Sequence, residues 1–326
     1  AHFGKWHLGS GPGAPMPEAY GFDKQRSSVS NDPSWKDQWG QKERHRSSEL
    51  IINETISFIE ANRDRPFYVQ AWLLDTHARL FPTEEQMKAY KNLIGAPRIY
   101  YSAATDSDRH IGRLLAKLDE MGLANNTVVI FSADNGPEEI EIGNASEHGV
   151  GSPGPFRGRK RSLYEGGVRM PFIVRWPAGT PAGRVDNSSI VSAVDFLPTL
   201  CSLGGAKLPS NLKLDGQDMS GVLRGRTVER KKPLLWQWRF RIIGHPINNS
   251  PMLAIRDGKW KLLMNPDGSR VELYDIPSDP MELNNLADRQ PDVVKRLSEP
   301  LLKWHTSLPE GPIEKDAGSN AYPWPR

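Results

Sequence analysis

Residues 125–136 read NNTVVIFSADNG. Val128 to Phe131 form a continuous apolar run of strand length, which stops at Asp134-Asn135-Gly136. Such a run suits a strand buried on both faces, as in a parallel sheet. Just ahead of it, residues 98–121 carry Ile111, Leu114, Leu115, Leu118 and Met121 at helical spacing, and Gly122 ends the pattern. The same alternation occurs upstream. SSELIINETISFIEANRDRP (47–66) puts Leu50, Ile51, Ile52, Thr55, Ile56 and Ile59 on one helical stripe, with Ser47 or Ser48 as a cap and a stop before Pro66. FYVQAWLLD (67–75) is a second strand-length apolar run. Helix, strand, helix, strand predicts an α/β fold with a parallel sheet and crossover helices.

Downstream, MPFIVRWP (170–177) reads as a third strand. VSAVDFLPTLCSLGG (191–205) reads as a helix with Asp195 capping its start and Cys201 packed inside. The pattern changes near Pro233. LLWQWRF, PMLAIRDGKWKLLM and SRVELYD alternate or run apolar between Gly and Asn/Asp turns, which predicts an antiparallel sheet. PDVVKRLSEPLLKWHTSL (291–308) is a terminal helix pattern interrupted by Pro300. These shifts divide the chain into residues 1–232 and an antiparallel-sheet subdomain, residues 233–326.

Composition narrows the function classes. The chain has 326 residues, of which 37% are hydrophobic, enough for a sizeable core. No run approaches the roughly 20 apolar residues that a membrane-spanning helix requires. A formal net charge of +3 argues against a nucleic-acid partner. A single cysteine, Cys201, excludes an intrachain disulfide and a thiolate metal cluster.

In open α/β sheets, ligands bind beyond the carboxyl ends of the strands. Two strand runs here end in polar residues, Asp75-Thr76-His77 and Asp134-Asn135. A carboxylate beside an amide carbonyl offers two oxygens to a hard cation, Ca²⁺ or Mg²⁺. Asp-Asn-Gly also has the composition of a plain turn. The long Gly/Pro/Arg loop 136–167 contains Arg157, Arg159, Lys160 and Arg161. Near a metal, such cations would neutralise a sulfate or phosphate; otherwise they form a solvated basic face. Lys5 and His7 lie two residues apart, on one side of an extended segment.

In order, GKWHLG (4–9), a strand ending in DTH, FSADNGP (131–137), GPFRGRKRSLYEGGVRMPFIVRWPAG (154–179), VDFLPTL (194–200) and RDGKWKLL with ELYDIPSDPMELNNLA resemble a type I sulfatase along nearly the whole chain. The loops are most similar to the branch holding arylsulfatase A and N-acetylgalactosamine-6-sulfatase. The resemblance implies an alkaline phosphatase-like sandwich with a largely parallel central sheet flanked by helices and a smaller C-terminal α+β subdomain. It implies sulfate-ester hydrolysis on a sulfated small molecule or carbohydrate, through a formylglycine nucleophile. By position, Lys5 matches the lysine that contacts the sulfate and the catalytic residue, and His7 the histidine that supports the aldehyde hydrate. His77 matches a sulfate contact and proton donor to the leaving alcohol. Asp134 and Asn135 match two ligands of a Ca²⁺ ion, with Mg²⁺ as the alternative. Lys160 matches a further sulfate contact. Arg157, Arg159 and His148 are candidate sugar contacts on the same loops, and Glu165 reads as a residue that holds the loop. By resemblance the setting is periplasmic or secreted.

Two departures stand out. The family shows a Pro two residues after the histidine matched by His77, where this chain has Arg79. The family's nucleophile lies in a C-x-P/A-S-R motif, and no such motif occurs here; Cys201 is followed by Ser202-Leu203-Gly204. The expectation is therefore a chain starting in mid-domain, inactive alone and prone to aggregate through an uncovered apolar sheet edge. The rival readings are a phosphoester or phosphonate hydrolase of the same superfamily and a non-catalytic protein that binds sulfated glycans.

Overall fold

The computed structural model describes residues 1–9, 13–28, 41–139, 147 and 149–319. The chain divides into two compact units, Ala1–Thr127 with Ile142–Gly151, and Val128–Glu141 with Ser152–Arg326.

In the first unit, β1 (His2–Lys5) lies between β2 (Gln25–Ser28) and β3 (Gln70–Trp72) and is parallel to both. Phe3 of β1 is fully buried against Ile51 and Phe58 of α1 (Ser47–Ala61) and against Leu74. The α1 stripe falls where expected, with Ile51, Ile52, Thr55 and Ile59 buried. The expected serine cap does not form. Arg46 is the N-cap residue, and the Ser48 hydroxyl donates to Asp75 Oδ2 at 2.9 Å. A serine cap needs a free hydroxyl at the helix start, and here the half-buried carboxylate of another segment takes it.

A short helix, α2 (Glu84–Met87), starts in a Thr83/Gln86 capping box. The long helix α3 (Ala96–Glu120) packs on α1, and Gly122 follows at φ +69°. Its fully buried residues are Ser102, Ala103, Asp106, Ser107, His110 and Leu118. Of the apolar stripe expected from sequence, only Leu118 is fully buried. The N-terminal half of the helix buries polar side chains that bond to one another and to α1, as in the 2.9 Å Ser48–Ser107 contact.

In the second unit, β4 (Val129–Ser132) pairs antiparallel with β5 (Phe172–Arg175), and α4 (Glu165–Val168) lies between them in sequence. This corrects the expectation that the 128–131 run is a buried parallel strand. Phe131 stands opposite Ile173, and the two are 44% and 60% exposed. An apolar run shows that a strand needs cover; it does not specify which segment supplies the cover. Helix α5 (Phe196–Gly204) follows a capping box in which Asp195 Oδ2 accepts from the Ser192 N–H at 2.8 Å. Asp195 thus stands at the N-cap position of α5 as expected, but its carboxylate makes no cap bond there and serves as the third residue of the Ser192 box. It is fully buried and also paired with Arg230. Cys201 is half-buried, less enclosed than expected. A last short helix, α6 (Ser220–Leu223), precedes the C-terminal sheet.

That sheet is antiparallel as expected, in the order β6 (Leu234–Gln237), β7 (Leu253–Asp257), β8 (Trp260–Met264), β9 (Glu272–Asp275). Both faces are covered. Leu253, Ile255, Leu262, Met264 and Leu273 pack with Leu297 and Leu301 of α7 (Pro291–Ser307). Ala254, Leu263 and Tyr274 pack with Leu163 and Tyr164. α7 runs unbroken through Pro300, against the expected interruption. Pro300 forgoes one backbone N–H, but the flanking Leu297 and Leu301 are buried against the sheet and hold the helical path.

Candidate active site

The candidate residues fall in both units. In the first, β1 delivers Lys5 at its last position, half-buried. Trp6 follows, 1% exposed, with its N–H bonded to Ser28 O at 2.8 Å. His7 lies beyond the strand and is exposed. The buried indole therefore acts as an anchor that fixes the chain between the two candidate side chains.

His77 sits in the turn after β3, half-buried, with its N–H on Leu74 O at 2.9 Å. Its Nδ1–H donates to Ala78 O at 2.8 Å, so in the neutral ring Nε2 carries the lone pair. Arg44 braces this turn. Its Nη2 donates to Leu74 O at 2.9 Å and to His77 O at 2.6 Å. Beneath it, Asp75 accepts from Ser48 and, at 3.3 Å, from Ser107. Burial raises the Asp75 carboxyl above its ordinary range, against the opposing pull of Arg44 and the two hydroxyls.

In the second unit, β4 ends two residues before Asp134, which is exposed; Asn135 is half-buried. Asn135 Nδ2 donates to Gly136 O at 2.8 Å, so its amide oxygen is the acceptor of the side chain. Gly136 N–H bonds to Gly167 O at 3.1 Å, and Lys160 N–H bonds to Pro137 O at 2.9 Å. Only glycine fits at 136, because a Cβ there would lie 2.0 Å from Gly166 O. The Asp-Asn-Gly turn and the Lys160 loop are thus joined backbone to backbone.

The basic loop is internally neutralised. Glu138 lies 3.6 Å from Lys160 Nζ and is paired with Arg161, while Arg159 donates twice to Glu138 O, at 2.9 and 2.6 Å. Burial alone would raise the Glu138 carboxyl; Arg161, the Glu139 N–H and Lys160 together lower it. Arg157 is 9% exposed, lies 3.8 Å over the Tyr164 ring and donates to Ile247 O, Tyr274 Oη and Glu282 O. Arg157 and Arg159 also line a cavity of about 400 Å³ with Phe156, Asn248, Met281 and Leu283. His148 lies outside the described residues.

Among the described residues no group of three His, Cys, Asp or Glu side chains is placed to hold a metal ion. Asp134 and Asn135 fit a hard divalent cation by donor chemistry, as two of the six to eight oxygens that Ca²⁺ takes. Sequence reasoning missed Arg44, Lys261 and Glu282. Arg44 belongs to a polar loop with no periodic signal. Lys261 and Glu282 lie in a strand and a turn where a charged residue reads as solvent-facing.

Comparison with known proteins identifies the family. The sulfatase family pattern matches residues 1–206, and the C-terminal pattern of N-sulphoglucosamine sulphohydrolase matches residues 155–307. An N-acetylgalactosamine-6-O-sulfatase of Bacteroides thetaiotaomicron is 31% identical over 77% of this chain and 50% of its own. Human arylsulfatase A is 30% identical over 73% of this chain and 48% of its own. A solved Bacteroides thetaiotaomicron structure, described under the metabolism of multiple glycosaminoglycans, superposes with a TM-score of 0.65. It is 28% identical, over 83% of this chain and 56% of its own. The chain spans about half the length of these curated relatives. With its parallel sheet, flanking helices and C-terminal antiparallel sheet, it has the sulfatase, alkaline phosphatase-like fold, and it belongs to the sulfatase family, in the type I branch with arylsulfatase A and N-acetylgalactosamine-6-sulfatase.

Proposed function

We propose that the full-length protein hydrolyses sulfate esters on sulfated carbohydrates, using a formylglycine nucleophile that these 326 residues do not carry. The observation that carries this reading is the backbone link between the Asp134-Asn135-Gly136 turn and Lys160. It supports the reading by tying the main chain that carries Lys160 to the main chain that follows Asp134 and Asn135.

Cleavage of a sulfate ester builds negative charge on the sulfuryl and leaving oxygens. In this reading Lys5 and Lys160 are the ammonium groups that stabilise that charge. His7 supports the nucleophile. His77, with Nδ1–H committed to Ala78 O, has Nε2 as its other ring nitrogen, which in the imidazolium form gives its proton to the leaving oxygen and ends as the neutral ring. Asp134 and Asn135 would hold the divalent cation, Ca²⁺ or Mg²⁺, whose chemistry is Lewis-acid stabilisation of the sulfuryl oxygen. Arg157, Arg159 and His148 are the proposed surroundings of the sugar. In this reading residues 1–232 are the catalytic part and residues 233–326 the C-terminal subdomain, a functional division whose boundary differs from that of the two compact units. A sulfated carbohydrate is favoured as substrate by the N-acetylgalactosamine-6-O-sulfatase relative.

The test is turnover of the full-length protein on an aryl sulfate and on sulfated N-acetylgalactosamine, each against its phosphate counterpart. Preferential sulfate release, reduced at least about 100-fold in Lys160→Ala, supports the reading. Faster phosphate release would establish the phosphoester-hydrolase rival. Tight sulfated-glycan binding without turnover would establish the binding-protein rival.

A further inference from the structure

β8 buries a lysine among core residues. Lys261 sits on the same strand face as Leu263, two residues on, and has no exposed surface. Its ammonium is 2.9 Å from Glu165 Oε1 and 2.9 Å from Glu282 Oε1. Glu282 is likewise fully buried, and Glu165 is 7% exposed. The second Glu282 oxygen, Oε2, accepts the Glu165 backbone N–H at 2.6 Å. Arg256 and Arg169 approach Glu165 Oε2 at 4.0 and 3.7 Å. Glu282 itself has a backbone φ of +55°, a left-handed conformation that a non-glycine residue keeps only when its surroundings hold it.

This cluster grips the first residue of α4 by side chain and backbone together. From there every link to the proposed site is short. Gly166 N–H bonds to Arg157 O at 2.7 Å, which closes the loop that carries Lys160. Gly167 O receives the Gly136 N–H, and Lys160 N–H goes to Pro137 O. Cβ atoms at Gly166 and Gly167 would lie 2.2 and 2.1 Å from Gly158 O and Ser162 O, so these backbones are in direct contact. Leucine-type packing would cover this sheet face without the desolvation cost of a buried ammonium. What the ammonium adds is direction: it ties Glu165 and Glu282 into one register.

We propose that Lys261 and Glu282 are positioning residues that act through Glu165 to hold Lys160 and the Asp134-Asn135-Gly136 turn in place. This rests on the sulfatase reading of that site. The C-terminal sheet is then part of the catalytic apparatus, not only a cover for it.

The test uses the full-length protein and an aryl sulfate, with Lys261→Met, Glu282→Gln, Lys160→Ala and the Lys160→Ala/Lys261→Met pair. Lys261→Arg is the conservative variant, and Glu282→Gln, close in shape, serves if Lys261→Met does not fold. Amide hydrogen exchange at Gly136 and Lys160 is read alongside kcat and KM. The expected result is at least about tenfold faster exchange at both amides and a kcat lowered at least about tenfold, with KM changed less. The double variant is expected to be no slower than Lys160→Ala alone, and Lys261→Arg to restore part of kcat. Unchanged exchange in folded variants, or losses that add in the double variant, would overturn the proposal. Faster exchange in a protein whose sulfate turnover ignores Lys160→Ala would uphold the positioning and overturn the sulfatase reading.

Discussion

Arg44 donates through Nη2 to the carbonyl oxygen of His77 at 2.6 Å. The same nitrogen reaches Leu74 O, so one guanidinium spans both ends of the turn that presents the imidazole. Methionine at 44 would leave these carbonyls without their charged donor, and Asp75 would lose its cation. Charge-assisted hydrogen bonds contribute about 1.5–3 kcal/mol each. Arg44→Met is expected to destabilise by about 2–4 kcal/mol in urea titration and to lower kcat of the full-length protein more than it raises KM.

Gly136→Ala tests the backbone knot directly. The added Cβ would meet Gly166 O at 2.0 Å, and both partners are main chain. Overpacking of this kind costs about 1–3 kcal/mol. A lower melting temperature is expected, together with weaker binding of Ca²⁺ by calorimetry. Asp134→Asn is expected to weaken Ca²⁺ binding with little change in melting, because Asp134 is exposed.

His2 supplies a pH dependence. It is fully buried, with Nδ1 2.8 Å from Ser27 Oγ and the rings of Trp6, Phe22 and Trp72 around it. Burial lowers its pKa from 6.5 to about 4. The folded state therefore favours the neutral ring. Its contribution is complete above pH 6.5 and is lost as pH falls toward 4, by at most about 3 kcal/mol. Urea midpoints at pH 7 and pH 4.5 are expected to differ less in His2→Gln than in the parent.

Glu282 carries the opposite sign. Burial, with Glu165 beside it, raises its carboxyl from 4.5 to about 7 against the pull of Lys261. Its contribution is present below pH 4.5 and is lost as pH rises through about 7. Lys261, Glu165, Arg256 and Tyr274 are the titratable groups around it, and Arg157 holds its carbonyl. In Glu282→Gln, amide exchange in residues 157–168 is expected to vary less between pH 5 and pH 8 than in the parent.

The Phe131–Ile173 pair on β4 and β5 gives a solution test. Two facing apolar side chains at 44% and 60% exposure form a sticky strand surface. Residues 1–326 produced by themselves are expected to self-associate in light scattering, and Phe131→Ser with Ile173→Thr to reduce it.

The elements legible in sequence are those whose signal is local. Alternation around Gly258 specified the β7–β8 hairpin, and the 3.6 periodicity of residues 47–61 specified α1. The motifs around Lys5, His77, Asp134 and Lys160 are short local runs too, and the roles expected of these residues rest on the family resemblance those runs carry. The relations that tertiary structure decided join residues far apart in the chain. Which strand pairs with β4, which hydroxyls reach Asp75 and where Lys261 points depend on those distant partners. A lysine between Trp260 and Leu262 reads as solvent-facing until Glu165, 96 residues away, and Glu282 close on its ammonium. Sequence by itself determined the kinds of elements and the family; the fold decided which buried charges hold the loop, because a buried ammonium is tolerated only where distant carboxylates meet it.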